Sequence, residues 1–174
     1  AMKIDDIFIH MIFKDSYNLE KIKIVIKFKN FRKILNDRKI AIKKGFLENP
    51  TEVNAILYHK GKKHKAKVRL KGDLNDHWFS KHRLSLKISL KYGSTIMGMS
   101  SFSIHKPKSR HHPYEQAFQA TMKKVNNLSS NHKYAFIEIN DENWGIMNIE
   151  EKISDEYLEI NRKKPSLIFS FSND

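Results

Sequence analysis

The sequence predicts an α+β fold: a twisted, mostly antiparallel sheet with helices packed against it. Three observations lead there. Apolar residues alternate with other residues through several short segments. Turn-forming residues separate those segments at hairpin spacing. Longer segments carry the 3.6-residue period of amphipathic helices. The 174 residues, 40% hydrophobic with only 6 Gly and 4 Pro, suit a packed domain rather than a linker or fibrous chain. We read residues 1–174 as a single domain or lobe, with 1–50 a strand-and-helix extension and 51–174 the main body.

From Lys21 to Lys27, Ile22, Ile24 and Ile26 alternate with other residues, which fits a strand; a helix beginning near Asp15 is the rival reading. The period then lengthens. Phe28, Phe31, Leu35, Ala41 and Ile42 fit one helix face, and Gly45 supplies the stop. Val53, Ala55 and Leu57 alternate before His59-Lys60-Gly61-Lys62, and Ala66, Val68 and Leu70 after it. That predicts a hairpin with a loop of about four or five residues. In the next strand Leu84, Leu86, Ile88 and Leu90 share one face, and Arg83, Ser85, Lys87 and Ser89 the other; Tyr92-Gly93 ends it. Phe102 to His105 is a shorter strand, and Pro107 to His112 a basic loop.

Pro113 suits the first turn of a helix. Tyr114, Ala117, Phe118, Thr121, Met122 and Val125 continue its stripe. Lys133 to Asn140 and Trp144 to Ile149 read as strands joined by a turn at Asp141-Glu142-Asn143. Ser154 is placed to N-cap a helix reaching Arg162, with Leu158 and Ile160 apolar, and Ser166 to Phe171 is a last strand.

Lys and Arg number 33 against 19 Asp and Glu, a net charge of +14. Such a balance speaks to solubility and anionic partners, not to fold. Lys60, Lys62, Lys63, His64, Lys65 and Lys67 form the densest cluster; Lys106, Lys108, Arg110, His111 and His112 form a second, before a helix. Zero cysteines exclude disulfides, thiolate metal sites and thiol catalysis. The nine histidines lack metal-ligand spacing, and no Gly-rich phosphate loop or serine-nucleophile motif is present. The apolar run Ile7 to Phe13, interrupted by His10, is too short to span a bilayer, which takes roughly 20 residues. No signal peptide is visible, and Ala1-Met2 reads as a scar ahead of a chosen start, so localisation is unknown.

An ordered series of short motifs runs through the chain: Val68-Arg69-Leu70-Lys71-Gly72-Asp73, then Arg83-Leu84-Ser85-Leu86-Lys87-Ile88, then Phe136 through Asn140 to Met147, then Ile149-Glu150-Glu151-Lys152-Ile153. Over roughly Val53 to Phe171 this resembles the N-terminal, nucleotide-binding half of the spore-coat protein H (CotH) kinase-like family. That family carries a strand ending R-x-R/K-G, a basic strand ending K-I, and a W-G hairpin followed by L-x-E-x-I-D. Leu84, Leu86, Asp141, Met147 and Ser154 depart from its pattern.

The resemblance implies a fold like the N-terminal lobe of an atypical protein kinase, with ATP and Mg as cofactors. It implies that Arg83 and Lys87 hold phosphates, that Glu151 positions them, and that Lys71 and Arg110 fill basic positions of the nucleotide set. The family's catalytic aspartates lie further downstream, so no catalytic residue is assigned and this chain alone is expected to be inactive. With the C-terminal lobe of its parent chain as partner, the whole would phosphorylate a protein or surface-polymer hydroxyl. An envelope or exported setting is implied as well. The alternative reading of the charge is a non-catalytic basic module for an anionic polysaccharide or nucleic acid.

Overall fold

The computed structural model describes residues 19–160 other than Asp73, and beyond these Arg162, Lys164 and Leu167. The strand read over Ser166 to Phe171 therefore lies, save Leu167, outside the described residues, as does the helix start near Asp15. Among the described residues seven strands run in chain order: β1 (Glu20–Ile26), β2 (Val53–His59), β3 (Lys62–Leu70), β4 (Leu86–Leu90), β5 (Ser101–His105), β6 (His132–Ile139) and β7 (Glu142–Glu151). Helix α1 (Phe28–Lys44) follows β1, α2 (Tyr114–Lys124) follows β5, and α3 (Asp155–Ile160) follows β7.

The strands close into a barrel in the order β1-β2-β3-β4-β5-β7-β6. Every neighbouring pair is antiparallel except β1 and β6, whose parallel pairing seals it. Partners directly opposite share a face of the sheet. The registers Ile24↔Leu57, Ile24↔Ile139 and Val68↔Ile88 therefore turn the alternating aliphatics inward together. All of these are almost wholly buried, and a barrel of about this strand number is filled by its own side chains.

This corrects the α+β expectation. The molecule is a closed, mixed β-barrel, not a kinase-type lobe of sheet and packed helices. Apolar alternation shows which face of a strand is buried; it does not show which strands become neighbours. Closure depends on β1 pairing with β6, far along the chain, and no local pattern encodes that.

Helix α1 covers one end of the barrel. Gly45, at φ 86, ends it by donating its N–H to the Ala41 carbonyl at 2.8 Å, a left-handed cap that glycine adopts without a Cβ penalty. Ile34 and Ala41 are its buried residues, while Phe28 and Ile42 from the expected stripe are exposed. Arg38 donates to the Trp78 carbonyl at 2.8 Å and also to that of Phe79, fastening the β3–β4 loop beside α1. At the opposite end Ile96 and Met99 of the β4–β5 loop join the core, while Tyr157 and Leu158 of α3 are buried outside it. Ser154 caps α3 as its sequence position predicts, accepting the Tyr157 N–H at 3.4 Å.

The hairpins are tighter than expected. His59 pairs with Lys62, leaving a two-residue turn in which Lys60 and Gly61 both have positive φ, 48 and 73. Asn140 and Asp141 repeat this at β6–β7, with φ 50 and 67. Such turns match the twist of the strands they join. Helix α2 departs further: none of its residues is buried, and Tyr114, Phe118 and Val125 face solvent. Its polar side is the attached one, with Gln119 accepting the Ser130 N–H at 3.0 Å.

Candidate functional site

Strand β3 reads K-K-H-K-A-K-V-R-L. His64, Ala66, Val68 and Leu70 point inward and are buried, so Lys63, Lys65, Lys67 and Arg69 point outward, and Lys71 follows just past the strand. Two residues of extended chain advance about 6.6 Å, which sets the spacing of this cationic ladder. On β4, Ser89 lies opposite Lys67 and Lys87 opposite Arg69; on β5, Ser101 lies opposite Ser89 and Ser103 opposite Lys87. Lys152, past the end of β7, donates its backbone N–H to the Ser101 carbonyl at 3.0 Å. The serines are small and tied down, Ser89 Oγ to Ser101 Oγ at 3.2 Å and Ser101 Oγ to the Ile88 carbonyl at 3.3 Å. Long cationic side chains thus flank a low, hydroxyl-bearing strip of wall.

Charge on this wall is poorly compensated. Glu52 meets Lys67 at 3.8 Å, and Glu150 meets Lys71 at 3.0 Å. Among the described residues no carboxylate lies within 4.0 Å of the charged groups of Lys63, Lys65, Arg69, Lys87 or Lys152. Burial first, then the positive charges of Lys152, Arg69 and Lys71, pull the Lys87 ammonium below its usual value; Glu52 opposes them. Lys65 instead lies over the ring of Tyr92, 5.6 Å from its centroid.

The residues assigned from the sequence fall in different places. Lys71 and Lys87 belong to this wall. Arg83 does not stand on β4: it occupies a bend at φ 58 and donates to the Ile146 carbonyl at 2.6 Å, clipping the β3–β4 loop to β7. Glu151 lies opposite Phe102 on the inward face and accepts the Asn131 side-chain amide. It is therefore on the other side of the sheet from Lys87, whose partner Ser103 shares the outward face with Glu150. The Arg110 backbone ends a short turn, Pro107–Arg110, and its side chain lies outside what is described.

Arg69, Lys152, Ser101 and Ser103 were not assigned a role from the sequence. Arg69 was within reach, because Lys63, Lys65, Lys67 and Arg69 recur at every second residue. Lys152 arrives only through β5–β7 pairing, and nothing local announces that.

A second polar group lies on the adjoining wall. The Asn148 side-chain amide donates to His105 Nε2 at 2.8 Å and to His132 Nδ1 at 3.1 Å, while His77 Nδ1 bonds the Ser85 hydroxyl at 2.8 Å. His105 and Asn148 are fully buried. The Asn148 bonds tie β7 to β5 and β6, and the His77–Ser85 bond closes the β3–β4 loop on itself. Among the described residues no group of three or more His, Asp or Glu is placed to hold a metal ion, and no helix is long and apolar enough to cross a membrane. The chain matches no known family model and no curated protein.

Proposed function

We propose that this chain is a binding module for an anionic polymer, held on the outer wall of β3, β4 and β5. The observation that carries the reading is Lys87, half-buried among Arg69, Lys71 and Lys152 and destabilised in its charged form. Cations gathered at a cost to the unbound protein are relieved when an anion arrives. The geometry favours a polymer over a single small ligand. A small ligand takes a concave site with converging groups, whereas these cations are strung along the convex outside of a barrel at regular intervals.

The test is the salt dependence of binding to a sulfated polysaccharide and to an oligonucleotide. Engagement of Lys63, Lys65, Lys67, Arg69, Lys87 and Lys152 predicts a log–log slope of about −4 for a flexible strand. A shallow slope, together with a preference for ATP over inorganic triphosphate that Lys87→Ala abolishes, would replace this reading with a nucleotide site of the CotH-like kind.

A further inference from the structure

We infer that the polymer is a single-stranded nucleic acid whose bases stack on Tyr92 and Tyr58, an inference that rests on the anionic-polymer reading above. Charge alone does not separate a nucleic acid from a sulfated or uronic polysaccharide. Flat aromatic rings beside the charge do, because every base has a π-face and an unpaired base can turn it toward a side chain.

Two such rings flank the ladder. Tyr58, on the outward face of β2, lies opposite Lys63. Tyr92, in the turn after β4, carries the Lys65 ammonium over its face. Lys91, its neighbour, donates its backbone N–H to the Lys65 carbonyl at 2.9 Å, so the turn is fixed against β3. Tyr92 is 82% exposed and Tyr58 39%, so both rings are accessible from solvent. Neither ring belongs to the buried core, which other side chains, mostly aliphatic, fill.

The arrangement divides the work. Lys63, Lys65, Lys67 and Arg69 recur about every 6.6 Å along β3, a spacing that suits a backbone with one charge per residue. The rings stand to either side of that line, where bases splayed from such a backbone fall. Lys65 has two roles in sequence: it covers the Tyr92 ring when no ligand is present, then moves to a phosphate and leaves the ring face to a base. Duplex DNA offers the charge but keeps its base faces stacked on one another, so it engages only the ladder.

The experiment measures, at one fixed salt concentration, the affinity of the full chain for a fluorescent 15-mer of thymidylate, a duplex of the same length, and a sulfated oligosaccharide of matched charge. Tyr92→Leu and Tyr58→Leu are measured alongside, with melting temperatures confirming that each variant is folded. The thymidylate strand should bind tightest. Each tyrosine variant should lose between about fivefold and a hundredfold on that strand, the range expected for one base–aromatic stack. Duplex and oligosaccharide affinities should not move. If the oligosaccharide or duplex binds as tightly as the strand, or if both variants keep the strand's affinity, the nucleic-acid inference fails while the anionic-polymer reading stands. If none of the three binds, both fail.

Discussion

The β1–β6 wall and the β3–β4 wall of the barrel begin from the same sequence pattern and end with opposite electrostatics. Each carries outward lysines at every second position, Lys21 and Lys23 on β1, Lys63 through Arg69 on β3. On the first wall Glu138 lies opposite Lys23 in the parallel register, and it reaches Lys21 at 2.5 Å and Lys23 at 3.2 Å; Asp141 meets Lys23 at 2.5 Å. Lys21 first and Lys23 next hold the Glu138 carboxyl below its ordinary value, while Asp141 and Glu138 raise that of Lys23. On the second wall the opposite positions hold serines and another lysine, and the Lys87 value falls instead. A lysine alternation is thus neither a solvated face nor a binding site by itself. The residue across the strand decides.

Reversing charge on each wall in turn should give the largest effect. Lys65→Glu with Arg69→Glu should weaken polymer binding by at least about tenfold and flatten the salt slope by roughly 2, near 1 for each phosphate that is no longer neutralised. Lys21→Glu with Lys23→Glu should leave binding within about twofold, because those lysines are already neutralised. Titrations of the two double variants against salt would show it. Equal losses from both would mean that net charge, not the wall, attracts the ligand.

A smaller effect should follow from Lys87 alone. Because the Lys87 value is lowered in the folded protein, its charge opposes folding below the ordinary 10.5. Lys87→Met should therefore melt slightly above the parent at neutral pH, by on the order of 1–3 °C, since solvent screens the repulsion. The gap should close as pH climbs through the lowered folded value toward 10.5, and the same variant should bind the polymer less tightly. Melting curves at several pH values decide it; a lower melting temperature at neutral pH would refute the account.

Glu138→Gln probes the neutralised wall and should give the smallest change. Its carboxylate contributes stability above the ordinary 4.5 and loses it as pH falls through the lowered folded value. The variant should be less stable than the parent at neutral pH by the few tenths of a kcal/mol to about 1 kcal/mol typical of such surface pairs. The two should converge in acid. A difference independent of pH would point to packing instead of charge.

Features set by neighbours along the chain were legible in the sequence. The alternations of β2, β3 and β6, the Gly45 stop and the Ser154 cap all depend on residues within a few positions, and all are where the spacing puts them. Features set by distant partners were not. Arg83 continues the β4 alternation in sequence, yet the chain bends before the strand begins and its guanidinium goes to Ile146. The stripe on α2 is amphipathic, yet the helix is fastened through polar residues, Gln119 to Ser130 and Lys123 to Asn131, in the segment that leads into β6. Glu151 and Glu150 are adjacent in sequence but fall on opposite faces of one strand. A sheet that closes on itself makes inside and outside a real difference for each of them.

Closure also determines where the chain tolerates being cut. β1 is hydrogen-bonded along both sides, Ile24 facing Leu57 on one and Ile139 on the other. Removing residues 20–26 would not trim a peripheral strand. It would bare β2 and β6 at once, each with a row of unsatisfied N–H and C=O groups and an inward face of isoleucine and leucine open to water. The shortened protein would be an unzipped sheet with two adhesive borders, ready to take up strands from another copy of itself.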